Sequence, residues 1–123
     1  MIKKIEITWK PKPEDQDYLA AASYLGLLYD KSKTRLYVDK LKKASMISFK
    51  AKDVFRASAL PLLGVNNSHV SKDKTKIMSK QKLSPILLVR DSNNGKVIIA
   101  DGYHRMCAVY YYDEDAVIPC QII

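Results

Sequence analysis

The stretch SPILLVRDSNNGKVIIADGYHRM, residues 84 to 106, constrains the fold more than any other part of the chain. Two β-rich apolar runs flank Asp91 to Gly95. The Asn94-Gly95 pair between them signals a hairpin, because both central positions of a type I′ turn need positive φ. The second run ends at Asp101-Gly102 and passes straight into DGYHRMCAVYYYDED, where Met106, Val109 and Tyr110 suit a helix packed on the sheet. The strand pair is thus expected to pass directly into a helix that packs on it. A last run, AVIPCQII, is expected to close the chain as a strand. Pro119 within it has no N–H to give to a ladder and implies an edge position or a bulge.

Residues 1 to 58 read as a mostly helical N-terminal part. Residues 2 to 9 alternate as a short strand would, and Pro11 and Pro13 stop it. PEDQDYLAAASYLGLLY opens with a proline and a cluster of acids and places Tyr18, Ala22, Leu25 and Tyr29 on one helical face. A second helix is expected over Lys33 to Ala44, with Leu36, Tyr37, Leu41 and Ala44 inward and the lysines outward. A shorter helix in AKDVFRASA ends before Pro61. LPLLGV then reads as a strand or a strand-like segment, and NNSHV as a polar turn capping a helix over Val70 to Ser79. Aromatic and leucine stripes at helical spacing are read as core. A chain of 123 residues, 47% hydrophobic, buries one core and not two, so residues 1–123 are expected to form a single domain.

The N-terminus MIKKIEITWK has no continuous apolar segment of a secretory signal, and no run approaches the roughly 18 apolar residues of a membrane span. Cys107 and Cys120 lack the spacing of a zinc site, so no structural metal is expected, and a reducing, cytoplasmic setting fits best. The net charge of +8 points to polyanionic or phosphorylated partners. Lys31, Lys33, Arg35, Lys40, Lys42, Lys43, Lys50 and Lys52 face one acid, Asp39, and a second block, Lys72, Lys74, Lys76, Lys80 and Lys82, faces only Asp73. Each lysine alone reads as a solvated surface residue; together the blocks suggest an anion-facing surface.

The strand-to-helix corner at Asp101 to Arg105 carries the chemistry. The first N–H groups of a helix have no intrahelical acceptor, and the aligned peptide dipoles leave partial positive charge there. Gly102 permits a sharp turn and close approach of a ligand, Arg105 offers a planar fork for two phosphate oxygens, and His104 adds a donor whose charge varies near neutral pH. Asp101 is expected to cap the helix by accepting from the N–H of Tyr103 or His104. Ordinary structure accounts for the same residues: an Asp-Gly helix cap, a hydrogen-bonded surface histidine, and Arg105 paired with the acids at 113 to 115. Neither GxxxxGK[ST] nor GxGxxG occurs.

Four segments in order, LPLLGVNNSHV, KLSPILLVRD, IIADGYHRMCAVYYYDED and AVIPCQII, resemble the ParB N-terminal domain and sulfiredoxin superfamily over residues 59 to 123. They match an opening strand with an Asn-containing loop, a Pro-Ile strand, a Gly-x-x-Arg strand-to-helix corner and a closing strand with Ile-Pro. The resemblance implies a small α+β fold, a mixed sheet with packed helices, in which the corner binds nucleotide phosphates: CTP in ParB clamps on DNA, ATP in sulfiredoxins, ADP in related free-serine kinases. Carried over, Gly102 is the corner glycine and His104 and Arg105 match the sulfiredoxin His-Arg pair. His69 falls where sulfiredoxins place a nucleotide-holding lysine, and Asn66 and Asn67 lie in the loop that would contact a sugar or phosphate.

Two departures limit the carry-over. Tyr103 stands where a sulfiredoxin needs its nucleophilic cysteine, and tyrosine cannot serve as that thiolate. Cys107 lies one helical turn later and is read as core. The sequence ends at Ile123 without the helix-turn-helix region of partition ParB proteins, so complete ParB function is not expected. The expected function is a stand-alone domain that binds a nucleoside phosphate (ATP, ADP or CTP, with or without Mg) or another phosphorylated ligand through Asp101, Gly102, Tyr103, His104, Arg105, His69, Asn66 and Asn67, beside nucleic acid and away from membranes. The alternatives are a small phosphotransferase or nuclease-like enzyme, for which paired carboxylates near the corner are missing from the sequence pattern, and a DNA-binding regulatory protein that uses the fold as scaffold.

Overall fold

The computed structural model describes residues 6–64 and 66–123. Among these the chain is α+β. The elements run α1 (Asp15–Leu25), α2 (Lys31–Lys43), β1 (Ile47–Lys50), α3 (Ala51–Ser58), α4 (Ser68–Met78), β2 (Ile86–Asp91), a 3-10 turn (Ser92–Asn94), β3 (Lys96–Asp101), α5 (Tyr103–Tyr112) and β4 (Val117–Ile122).

The strands lie in the order β1-β4-β2-β3, with β1 and β3 antiparallel to their neighbours and β2 parallel to β4. Alternate residues of a strand point to opposite faces, and here both faces are covered. Ile86, Leu88, Val97, Ile99, Ile118 and Cys120 pack with α3, α4 and α5. Leu87, Val89 and Ala100 pack with Ala21 and Leu25 of α1 and Val38 and Leu41 of α2. Ile86 to Val89 are all buried, which is why the strand reads as an unbroken apolar run.

Several elements differ from the sequence reading. β4 is internal, not an edge. Pro119 is tolerated there because it sits opposite Ser48 of β1, while pairing with β2 begins only at Cys120, opposite Ile86. The hairpin turn is not type I′: only Gly95 takes positive φ (64°), after the 3-10 turn, and the Asn94 side chain donates to the Asp91 carboxylate at 2.9 Å. Leu60 to Gly64 form no strand, although Leu60 and Leu63 pack on the core; Val65 of that segment lies outside the described residues. Half of the predicted strand over 2 to 9, residues 2 to 5, also lies outside them. Of its remainder, Trp9 makes one isolated bridge to Leu83, with Leu83 N–H donating to Thr8 and Lys10 N–H to Leu83.

Helix faces shift by a residue. α2 begins at Lys31 because Asp30 caps it, accepting from Lys33 N–H at 2.8 Å. Its inward residues are Thr34, Val38 and Leu41, while Leu36 is half exposed. In α1 the buried residues are Asp17, Ala21 and Leu25. Tyr18 and Ala22 flank that stripe, and Tyr29 lies beyond the helix end, its ring edge-on to Tyr37 at 5.0 Å. No helix among the described residues is long and apolar enough to cross a membrane.

Candidate functional site

The corner is built by a bulge followed by a glycine. Leu87 pairs with Asp101 and Leu88 with Ile99, so Ala100 is an extra residue in β3. Such a bulge bends the strand and re-aims the residues beside it. Gly102 follows with φ 106°. A Cβ at Gly102 would lie 2.8 Å from Ile86 Cγ1, so both the backbone conformation and the close packing require glycine.

Asp101 does not cap α5, and Gly102 has no side chain to do so. The Asp101 carboxylate accepts instead from Arg105 Nη2 at 2.8 Å, and the same nitrogen donates to the Pro85 carbonyl at 3.2 Å. Both side chains are about one-sixth exposed. Arg105 is therefore turned inward as a brace linking Pro85, just before β2, with β3 and α5, its side chain mostly shielded from solvent. It does not pair with the acids at 113 to 115; Asp115 pairs with Lys52 at 2.6 Å. Arg105 Nε is buried with no hydrogen-bond partner among the described residues.

A second carboxylate stands behind the first. Asp17, in the first turn of α1, is buried and accepts from Glu14 N–H at 2.8 Å. Burial pushes the Asp101 carboxyl above its ordinary range. Arg105 opposes the rise, while a hydrogen bond and repulsion from Asp17 add to it. The sequence offered no paired carboxylates at the corner; the α1–β3 packing supplies one.

The other wall of the site is α4. Asn67 caps this helix, its Oδ1 accepting from His69 N–H at 3.0 Å and Val70 N–H at 3.3 Å. His69, Lys72, Asp73 and Lys76 then face α5 across a cleft of about 200 Å³ floored by Asp101 to Arg105. The His69 and His104 rings lie 4.8 Å apart, inclined at 38°. Burial lowers the His104 pKa, as do His69 and Arg105, against the pull of Asp73. Burial raises Asp73, opposed by Arg105, Lys76, His104 and Lys72. Tyr103 hydroxyl donates to the Pro61 carbonyl and ties the 60 to 64 segment to α5.

Six of the sequence-predicted residues, Asp101, Gly102, Tyr103, His104, Arg105 and His69, therefore meet in one cleft. Asn66 and Asn67 do not line it. Asn67 is engaged as the α4 cap, and Asn66 is exposed in the turn before it. Lys72 and Lys76 were missed as site residues, although the spacing 69, 72, 73, 76 is one face of a helix. The two basic blocks separate, since Lys72 and Lys76 line the cleft while the α2 lysines lie in the layer on the opposite face of the sheet.

No protein-family model, curated protein or solved structure matches the chain. What the cleft can do rests on its chemistry. The N–H groups of Tyr103, His104 and Arg105 precede the first intrahelical bond, from Met106 N–H to the Gly102 carbonyl. No side chain caps them among the described residues. With Lys72, Lys76 and two imidazoles around them, they form a set of donors for an anion. Covalent chemistry at a thiol has no support here, because Cys107 is fully buried and burial raises its pKa. Among the described residues no group of three or more His, Cys, Asp or Glu is placed to hold a metal ion.

Proposed function

We propose that the α4–α5 cleft binds the phosphate groups of a nucleotide or other phosphorylated ligand, the role that the resemblance to the ParB N-terminal and sulfiredoxin superfamily implies. The observation that carries this reading is the convergence of an uncapped helix N-terminus with Lys72, Lys76, His69 and His104 around one small polar cleft. A volume of about 200 Å³ is below the roughly 300–1,000 Å³ of sites that enclose whole small molecules. It suits one or two phosphate groups, with the base and sugar of a nucleotide lying outside. Arg105 serves this site by holding the corner, joined to Asp101 and the Pro85 carbonyl. Magnesium, where the ligand carries it, would arrive with the phosphates and find Asp73 nearby, Asp101 of the same cleft being joined to Arg105.

Calorimetry with ATP, ADP, CTP and inorganic phosphate, each with and without magnesium, tests the reading. Saturable binding that the Lys72→Glu/Lys76→Glu double variant abolishes supports it; binding untouched by that variant removes the cleft from the account. His104 is held below its ordinary pKa, and an adjacent phosphate would favour its charged form, so binding should take up a proton. The heat should then change with buffer ionisation enthalpy in the parent and lose that dependence in His104→Gln.

The outward lysines of α2 support a second reading, contact with a nucleic-acid backbone, whose affinity would fall steeply with salt. Turnover of a nucleoside triphosphate with magnesium would move the protein into the enzyme class, with Asp73 as the carboxylate of the cleft that is not joined to Arg105.

A further inference from the structure

The end of the sheet away from Gly102 holds a different cavity. It has a volume of about 380 Å³ and lies between α3 and the ends of β2, β3 and β4. Val54, Leu88, Val97 and Ile122 give it an apolar floor, and Phe49 closes one side. Leu88 and Arg90 belong to the same face of β2, two residues apart. Arg90 thus continues the row that forms the floor, and Lys96, opposite Asp91, stands at the same mouth.

We propose that this pocket is a second ligand site, for a small monocarboxylate with an apolar body such as a short acyl chain or a single aromatic ring. The argument is charge complementarity over an apolar floor. Two cations, Arg90 and Lys96, line the pocket with one acid, Asp53, whose carboxylate lies 3.9 Å from Arg56 of its own helix; Asp91, opposite Lys96, does not line it and accepts from the Asn94 side chain. The mouth therefore favours an anion. A guanidinium matches a carboxylate in shape, and the apolar floor would strip water from any group pushed onto it, which disfavours a strongly hydrated polyphosphate. The volume falls at the small end of ligand pockets, roughly 300–1,000 Å³, and so limits the body to a short chain or one ring. This site shares no residue with the α4–α5 cleft, and it stands or falls independently of the phosphate reading.

The test is a methyl NMR titration of the full chain with octanoate, octylamine and inorganic phosphate in parallel. Octanoate should shift the methyl signals of Val54, Leu88, Val97 and Ile122 saturably, with half-saturation below about 10 mM, while octylamine and phosphate leave them in place. Arg90→Glu should weaken octanoate about tenfold or more. Ala57→Trp, a substitution on the exposed side of α3 that lines the pocket, should block it. Both positions are on the surface, and thermal unfolding of each variant checks that the fold is kept. Lys96→Glu gives an independent charge reversal if Arg90→Glu does not fold. The proposal is overturned if octanoate produces no saturable shift, if octylamine shifts the same methyls as strongly, or if neither charge reversal changes the affinity.

Discussion

At the Gly102 end of the sheet, charged groups are packed against each other; at the other end, they stand at the mouth of an apolar pocket. In the corner, Arg105 is joined to Asp101 and Asp17 lies behind it, all three largely shielded from water. Arg90 and Lys96 sit at solvent, over Leu88, Val97 and Ile122. The difference separates two uses of the same residue type. A buried arginine braces structure and leaves ligand contact to its neighbours, whereas an exposed one beside an apolar floor is available to a ligand. A sequence motif does not distinguish these uses, because burial is set by strands and helices distant in the chain.

The contrast can be broken most strongly at the corner. Arg105→Ala leaves Asp101 and the Pro85 carbonyl without their donor, and losing one partner of a shielded ion pair should cost about 2–4 kcal/mol in urea unfolding. Arg90→Ala should fall within about 0.5 kcal/mol of the parent. Equal costs would erase the distinction. Gly102→Ala comes next, at about 2–3 kcal/mol, from a left-handed backbone and the overlap with Ile86; a neutral result in the same measurement would mean that the corner relaxes.

Function and stability should part company at Lys72 and Lys76. Alanine at both positions should weaken phosphate binding about tenfold by calorimetry and leave unfolding within about 0.5 kcal/mol of the parent. The smallest effect belongs to Asp73→Asn. Because the folded pKa of Asp73 is raised by burial, the fold is disfavoured by its ionised form. Its contribution is favourable at pH below the unfolded value and is lost as pH rises through the folded one. The asparagine variant should therefore gain on the parent between acid and neutral pH, by less than about 1 kcal/mol, with the gap closing below about pH 4. It should also bind phosphate more tightly, having lost a nearby negative charge. A thermal-unfolding series across pH checks the first expectation and calorimetry the second.

Local patterns carried much of this architecture. The two strands of the hairpin, the entry into α5 and the positions of α1, α3 and α4 follow from period and punctuation, as does the grouping of Asp101 to Arg105. β1 was not legible. Four residues, mostly exposed, become a strand only by pairing with β4, where Ile47 meets Cys120. The internal position of β4 was hidden for the same reason, since the place of Pro119 depends on where β2 begins to pair. In the site, the meeting of Asp17 with Asp101 was invisible because an acid near a helix start looks like a partner for the helix dipole. The bulge at Ala100 that shapes the end of β3 has no local signature. Lys72 and Lys76 were legible in principle, by their helical spacing from His69.

The central claim is that the start of α5 receives a phosphate. Titration of the full chain with ADP, followed through the backbone amide signals of Tyr103, His104 and Arg105, tests it most directly. The account predicts saturable downfield shifts of these amides, as their N–H groups acquire anionic acceptors, and loss of the shifts in Lys72→Glu/Lys76→Glu. Amide signals that stay fixed at the corner while those of α2 or of the β2–β3 turn move would contradict it.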